Sequence, residues 1–194
     1  MKRIRVLIFI LVALAQLAVP AMLAWGRIQT LTHGRVWKFK TAPIDPEDAI
    51  RGRYVALRFA AESFSAPAPA KSDQIEAGNT VYVVLKEDAN GFAQVDRISP
   101  TELKGDNVVK ARSGYSSEDT QKVRFPFDTY WVTEKSAPAA ETAYRENSRR
   151  GKENAYVTVR VRDGDSALEQ LYIDDKPLAE YLRAQAASAQ AEKK

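Results

Sequence analysis

The residues of this sequence from which chemistry would be built are three carboxylates and one tyrosine: Asp45, Asp48, Glu134 and Tyr54, the last flanked by Arg53 and Arg58. A pair of carboxylates is the usual minimum for acid and base work in hydrolysis, one member protonated and the other ionised. Each of these carboxylates also has a plainer use. Asp45-Pro46-Glu47-Asp48 follows the order N-cap, N1, N2, N3 of one helical turn, in which the Asp45 carboxylate accepts from freed amides and Pro46 has no amide to leave unpaired. Glu134 stands just before a predicted helix. His33 is the only histidine, and there is no cysteine. This removes thiolate nucleophiles, disulfides and cysteine-type zinc sites together, and one imidazole among scattered carboxylates falls short of a zinc ligand set. A Ser-His-Asp arrangement would have to use His33, and the chain has neither a phosphate-cradling G-x-x-x-x-G-K-[ST] loop nor a dinucleotide fingerprint. The expectation is therefore a protein that is not an enzyme and has no cofactor and no metal; the alternative is an envelope hydrolase or small-ligand-binding enzyme using Glu134 or Asp45.

The elements that position these residues start with residues 43–59. Gly52 lets the backbone bend at low steric cost, and beyond it the chain alternates with a period of two. Val55, Leu57 and Phe59 share the face that enters the core, while Tyr54, Ala56 and Arg58 share the other. Tyr54 is thus an aromatic pointing away from its apolar neighbours. With Arg53 and Arg58 it makes an outward polar-aromatic patch suited to a partner or an anionic ligand; the plain alternative is that Tyr54 packs over the Asp45 turn.

The run Gly52-Arg53-Tyr54-Val55-Ala56-Leu57-Arg58-Phe59 resembles the motif of the GDYXXLXY family of membrane-anchored bacterial proteins, and a P-x-D-P-x-D turn and an Arg-Gly step precede it as in that family. Arg53 stands where the motif has Asp, which argues against an essential carboxylate there, and Phe59 stands where it has Tyr. Tyr130-Trp131-Val132-Thr133-Glu134 is similar to a second signature of the family, an aromatic strand ending in Glu before a helix, with Thr133 in place of the usual Pro. The resemblance implies an envelope location and a β-rich domain, and it names no reaction.

The chain opens with Lys2, Arg3 and Arg5, then runs apolar over residues 6–25, broken only by Gln16 and carrying Pro20 near its far end. Roughly 20 apolar residues cross a bilayer as a helix. The small-x-small site at residues 13–15 lies inside the run, which favours a retained anchor over a cleaved signal peptide, whose product would be a soluble periplasmic protein. Trp25 sits where an interfacial aromatic belongs, and the basic tip keeps the N-terminus in the cytoplasm and exports the rest. The divisions expected are a cytoplasmic tip and anchor over 1–26, a tether over 27–34, an extracytoplasmic β-rich domain over 35–183 and a flexible alanine-rich tail over 184–194.

The length of 194 residues and the 45% hydrophobic content suit one domain with appendages. Its 29 basic and 25 acidic residues are scattered, which argues against nucleic acid as a partner. Residues 35–40 alternate as a half-buried strand, and residues 80–85, apolar on both faces, read as a central one. Asn90-Gly91 and Asp163-Gly164 mark hairpins, and Pro138 opens a helix over 137–147. Pro126 places the segment from Val123 to Val132, read as one running strand, at an edge or a bulge. The expected fold is mainly β: a transmembrane helix, then a small antiparallel barrel or sandwich with one mid-domain helix. The expected function is that of a membrane-anchored interaction or accessory module. Its partners are the lipid bilayer, through residues 6–25, and an integral-membrane protein.

Overall fold

The structure is a computed structural model that describes residues 2–43, 54–64, 75–115, 120–149, 152 and 154–191. The apolar run forms one helix, α1 (Lys2–His33), which continues through Pro20 and stays exposed along its apolar length. Of the residues 27–34 expected to be a tether, 27–33 belong to this helix. Thr30 is buried against the domain, and the Arg162 guanidinium donates to Gln29 Oε1 at 3.2 Å. The chain leaves the helix at Gly34, whose N–H donates to Thr30 O at 2.9 Å. A Cβ at that position would lie 2.5 Å from Thr30 O and 3.0 Å from Val161 O, so only glycine lets helix and sheet approach this closely.

The described residues form three antiparallel sheets and three α-helices, α1 included, and among them no sheet closes into a barrel, so the expected β-rich fold stands without barrel closure. In the first sheet β1 (Arg35–Lys40) pairs with β9 (Ala155–Arg162), which pairs with β10 (Asp165–Ile173) and then β11 (Lys176–Pro177). The β9–β10 hairpin turns on Asp163 and Gly164, with φ of 50° and 93°, the left-handed pair that matches strand twist. The second sheet has the order β3 (Ser63–Phe64), β7 (Gln121–Arg124), β6 (Val108–Ser113), β4 (Thr80–Glu87), β5 (Ala93–Ser99), and β4 lies inside it as its two apolar faces require. The third joins β2 (Tyr54–Ala56) to β8 (Thr129–Trp131). Residues 123–132, read as one running strand, are therefore two strands in two sheets. The break contains Pro126, which has no N–H for a ladder. Helix α2 (Ala137–Asn147) covers the core with Ala140, Ala143 and Tyr144. Helix α3 (Leu178–Ala191) is docked by Leu178, Tyr181 and Leu182 at the end of the expected domain and runs on into the alanine-rich segment, where residues 183–188 are exposed.

Four phenylalanines tie the sheets together. Phe39 of β1 meets Phe59, Phe125 and Phe127 at centroid distances of 5.7, 5.2 and 5.0 Å, and the remaining three pairs lie at 5.1 to 6.3 Å. All four rings are at most 5% exposed; Phe39 lies in β1, Phe59 follows β2, and Phe125 and Phe127 lie in the link from β7 to β8, so the cluster touches segments of all three sheets. Deleting one ring leaves a cavity that the other three hold open. Phe59→Ala is expected to cost about 3–5 kcal/mol, read as the shift in a urea transition of the detergent-solubilised protein. A loss under 1 kcal/mol would show that the knot is not what binds the sheets.

Candidate functional site

Asp45, Gly52 and Arg53 lie outside the described residues, as does the Asp45-Pro46 turn. The rest of the motif is placed clearly. Val55, Leu57 and Phe59 are each 2% exposed, while Tyr54 and Ala56 are half-buried and Arg58 is exposed. The strand is stitched on both sides: Leu57 N–H donates to Asp128 O, and Ala42 N–H to Arg58 O, each at 2.8 Å. Tyr54 meets the ring of Trp131 edge-on at 5.4 Å, and Trp131 is 71% exposed. The structure thus brings together Tyr54 and the second aromatic signature. Glu134 is exposed in the turn before α2 and lies apart from this pair in role, since Ser136 and Thr133 close that turn with hydroxyl and backbone bonds.

The most unusual titratable group was not singled out by sequence reasoning. Glu62 ends a single 3-10 turn, Ala60–Glu62, directly after the motif, and its N–H donates to Phe59 O at 3.0 Å. With Phe59 fixed in the aromatic knot, the turn carries Glu62 inward until it is 9% exposed. Its Oε1 is buried and makes no hydrogen bond among the described residues. Burial pushes the carboxyl up from 4.5 to about 7. The Arg58 guanidinium, 3.8 Å from Oε2, and the Phe59 backbone bond oppose this; Asp128 adds to the rise, and Arg124 pulls weakly down. Arg58 offsets the rise only in part, because it stands 3.8 Å away and its side chain is 45% exposed, where solvent screens the pair. The only sequence signal was a glutamate three residues past a core aromatic, in a stretch with no strong period.

Beside Glu62 lies a second buried polar group. The Tyr144 phenol is pushed up to about 12, first by burial, with the Glu62 charge adding to the rise and hydrogen bonds with Arg58 N–H, Ser148 and Thr41 opposing it. Arg58 N–H donates to Tyr144 Oη at 3.4 Å, Thr41 Oγ1 donates to Ala155 O at 2.7 Å, and the Thr41 and Ser148 hydroxyls lie 3.2 Å apart. The cluster holds α2 against the motif strand, and its chemistry is that of a carboxyl able to take up and release a proton near neutrality. Among the described residues no group of three or more metal-ligating side chains converges.

Two open grooves flank this corner and share Pro126, Asp128 and Ser166. The larger, about 590 Å³, is lined by Lys110, Arg112, Arg124 and Asp165 among others, and contains neither Tyr54 nor Glu62. The smaller, about 410 Å³, runs between Arg27 of α1 and Tyr130, Trp131 and Leu168. Size alone would select the first. The motif's aromatic partner and the helix end both line the second.

The family model described as GDYXXLXY protein matches residues 16–171. Neither the curated proteins nor the solved structures gave a match.

The Glu62 carboxyl makes stability depend on pH in a known direction. Its folded pKa lies above its unfolded one, so between pH 4.5 and 7 the folded state holds a proton that the unfolded chain has released. The stabilisation is complete below that window and is lost as pH rises through it, on the order of 3 kcal/mol in total. Thermal midpoints between pH 5 and 8 are expected to fall more steeply for the natural chain than for Glu62→Gln, which keeps the shape and cannot ionise. Parallel slopes would place the dependence on other groups.

Proposed function

This chain belongs to the GDYXXLXY family, and from that premise we propose that it is a non-catalytic, single-pass accessory module of the bacterial envelope, serving an integral-membrane protein of several spans. The observation that carries the reading is Gln16. It is exposed in the apolar helix, and it lies roughly 15 Å along the axis from either end of residues 6–25, at the middle of the span. A carboxamide in hydrocarbon has no water to bond, so a neighbouring helix that offers a donor or acceptor is favoured. The junction at Gly34 supports the same reading. A slack tether is enough to keep an enzyme near a membrane, whereas a helix fused to its domain fixes the height and rotation of that domain, which matters when the target is itself fixed in the bilayer.

Basic residues Lys2, Arg3 and Arg5 at the tip support a cytoplasmic N-terminus and an exported domain. Cleavage at the 13–15 site would leave Gln16 as a new N-terminal residue with no span around it, and the reason for a membrane partner would go with the span. The alternative of a hydrolase using Glu134 or Asp45 has less support, since Glu134 is exposed in the turn before α2.

A reporter active only in the periplasm, fused after Lys194, is expected to be active; activity of a cytoplasm-only reporter at the same place would reverse the orientation. Affinity purification of the full chain in mild detergent is expected to recover one multi-span protein that an anchor-only control does not. Gln16→Leu should weaken that association by about 3- to 30-fold, the worth of one interhelical hydrogen bond in lipid. Recovery of no membrane protein, or equal recovery with Gln16→Leu, goes against the proposal.

A further inference from the structure

We propose that the domain makes a second contact with the bilayer besides its anchor, through the groove between Arg27 and Trp131, whose occupant is the phospholipid headgroup layer. The inference rests on the reading that α1 spans the membrane, and it begins from heights along that helix. Trp25 is 65% exposed and marks the edge of the hydrocarbon. Arg27 follows roughly 3 Å further along the axis, inside a headgroup layer that is roughly 5–7 Å deep on each side. Arg27 is also a wall of the smaller groove, so the groove itself lies at headgroup height.

The height is not adjustable. Thr30 is buried, Gly34 admits no side chain, Arg162 holds Gln29, and the Arg160 guanidinium donates to Gly34 O at 3.3 Å. The groove's two carboxylates, Asp128 and Glu169, are each bonded to an arginine, Arg124 and Arg160, and its aromatic and apolar walls suit the layer they meet. Trp131 presents an exposed indole, and Leu168 and Phe127 give an apolar floor. Tryptophan is the side chain best matched to this depth, because its ring prefers the acyl boundary while its N–H finds carbonyl and phosphate acceptors. The Arg27 guanidinium supplies a cation at the level of the phosphates. Tyr54, edge-on to Trp131, keeps that ring from folding back on the domain. In this placement the outward aromatic of the motif braces a membrane contact.

The chain has three tryptophans, and this makes the test direct. Trp37 is 3% exposed and its indole N–H donates to Asp106 O at 2.8 Å, so it serves as a shielded reference. The full chain is reconstituted in phosphatidylethanolamine–phosphatidylglycerol vesicles containing a lipid with a nitroxide at the headgroup. In Trp25→Phe the remaining quenchable ring is Trp131, and its quenching is expected to exceed that of Trp25→Phe/Trp131→Phe at least twofold. Equal quenching in the two variants overturns the proposal. The difference between the natural chain and Trp25→Phe reports Trp25 separately. If Trp25 is quenched and Trp131 is not, the span stands and the second contact fails; if neither is quenched, the span fails and takes this inference with it.

Discussion

Four phenylalanine rings in mutual contact are the constraint from which the rest of this domain follows. Phe39, Phe59 and the Phe125/Phe127 pair come from three separate stretches of chain, yet all six ring pairs meet within 6.3 Å. Each pair is worth about 0.5–1.5 kcal/mol beyond the area it buries, and the pairs share rings, so they stand or fall together. Because one ring lies in β1, one in the segment after β2 and two in the link from β7 to β8, the knot sets how the three sheets meet. It also locks the parity of the motif. With Phe59 inward, Val55 and Leu57 must follow, and Tyr54, Ala56 and Arg58 must turn outward.

The same lock explains the buried glutamate. Glu62 follows Phe59 by three residues in a tight turn, so the residue that anchors the core also drags a carboxylate out of water. A carboxylate at this depth would be costly if charged, and the chain meets the cost by raising its pKa instead of by pairing it closely. Arg58, on the outward face of the motif, is held too far into solvent to neutralise it fully. A glutamine would fit the space without the cost, so the retained acid is a local choice that stability does not favour at neutral pH.

How much of this was legible in the sequence depended on whether the cause was local. The alternation of residues 54–59, the helix over 137–147 and the Asp163-Gly164 hairpin are written in side-chain period and turn chemistry, and they stand in the structure where the pattern puts them. The break at Pro126 was visible, but its consequence, two strands assigned to two sheets, depends on distant pairing. Residues 27–33 look like a polar connection because their partners, β9 and β10, lie more than a hundred residues away; docking on that hairpin keeps them helical. Glu62 and Trp131 were hidden for the same reason. The burial of one and the exposure of the other are properties of the corner where the sheets meet, and no window of sequence contains that corner.

Helix geometry joins the apolar half of α1 to the domain that follows it. At about 100° per residue, the eleven steps from Gln16 to Arg27 bring the helix round to within about 20° of the same face, and the fourteen steps to Thr30 to within about 40°. The helix is continuous across this interval, so the side of α1 that presents the Gln16 carboxamide is also the side on which the domain is docked. A neighbouring helix bonded to Gln16 would therefore rise beneath the overhang of the domain, below the groove between Arg27 and Trp131. The rigid junction at Gly34 keeps those two faces in register, since a flexible residue there would let the domain swing away from the side that Gln16 marks. On the proposed reading, one helix sets the lateral direction of the partner and the height of the surface that covers it. This gives a physical reason for a chain of this size to fuse its anchor to its fold.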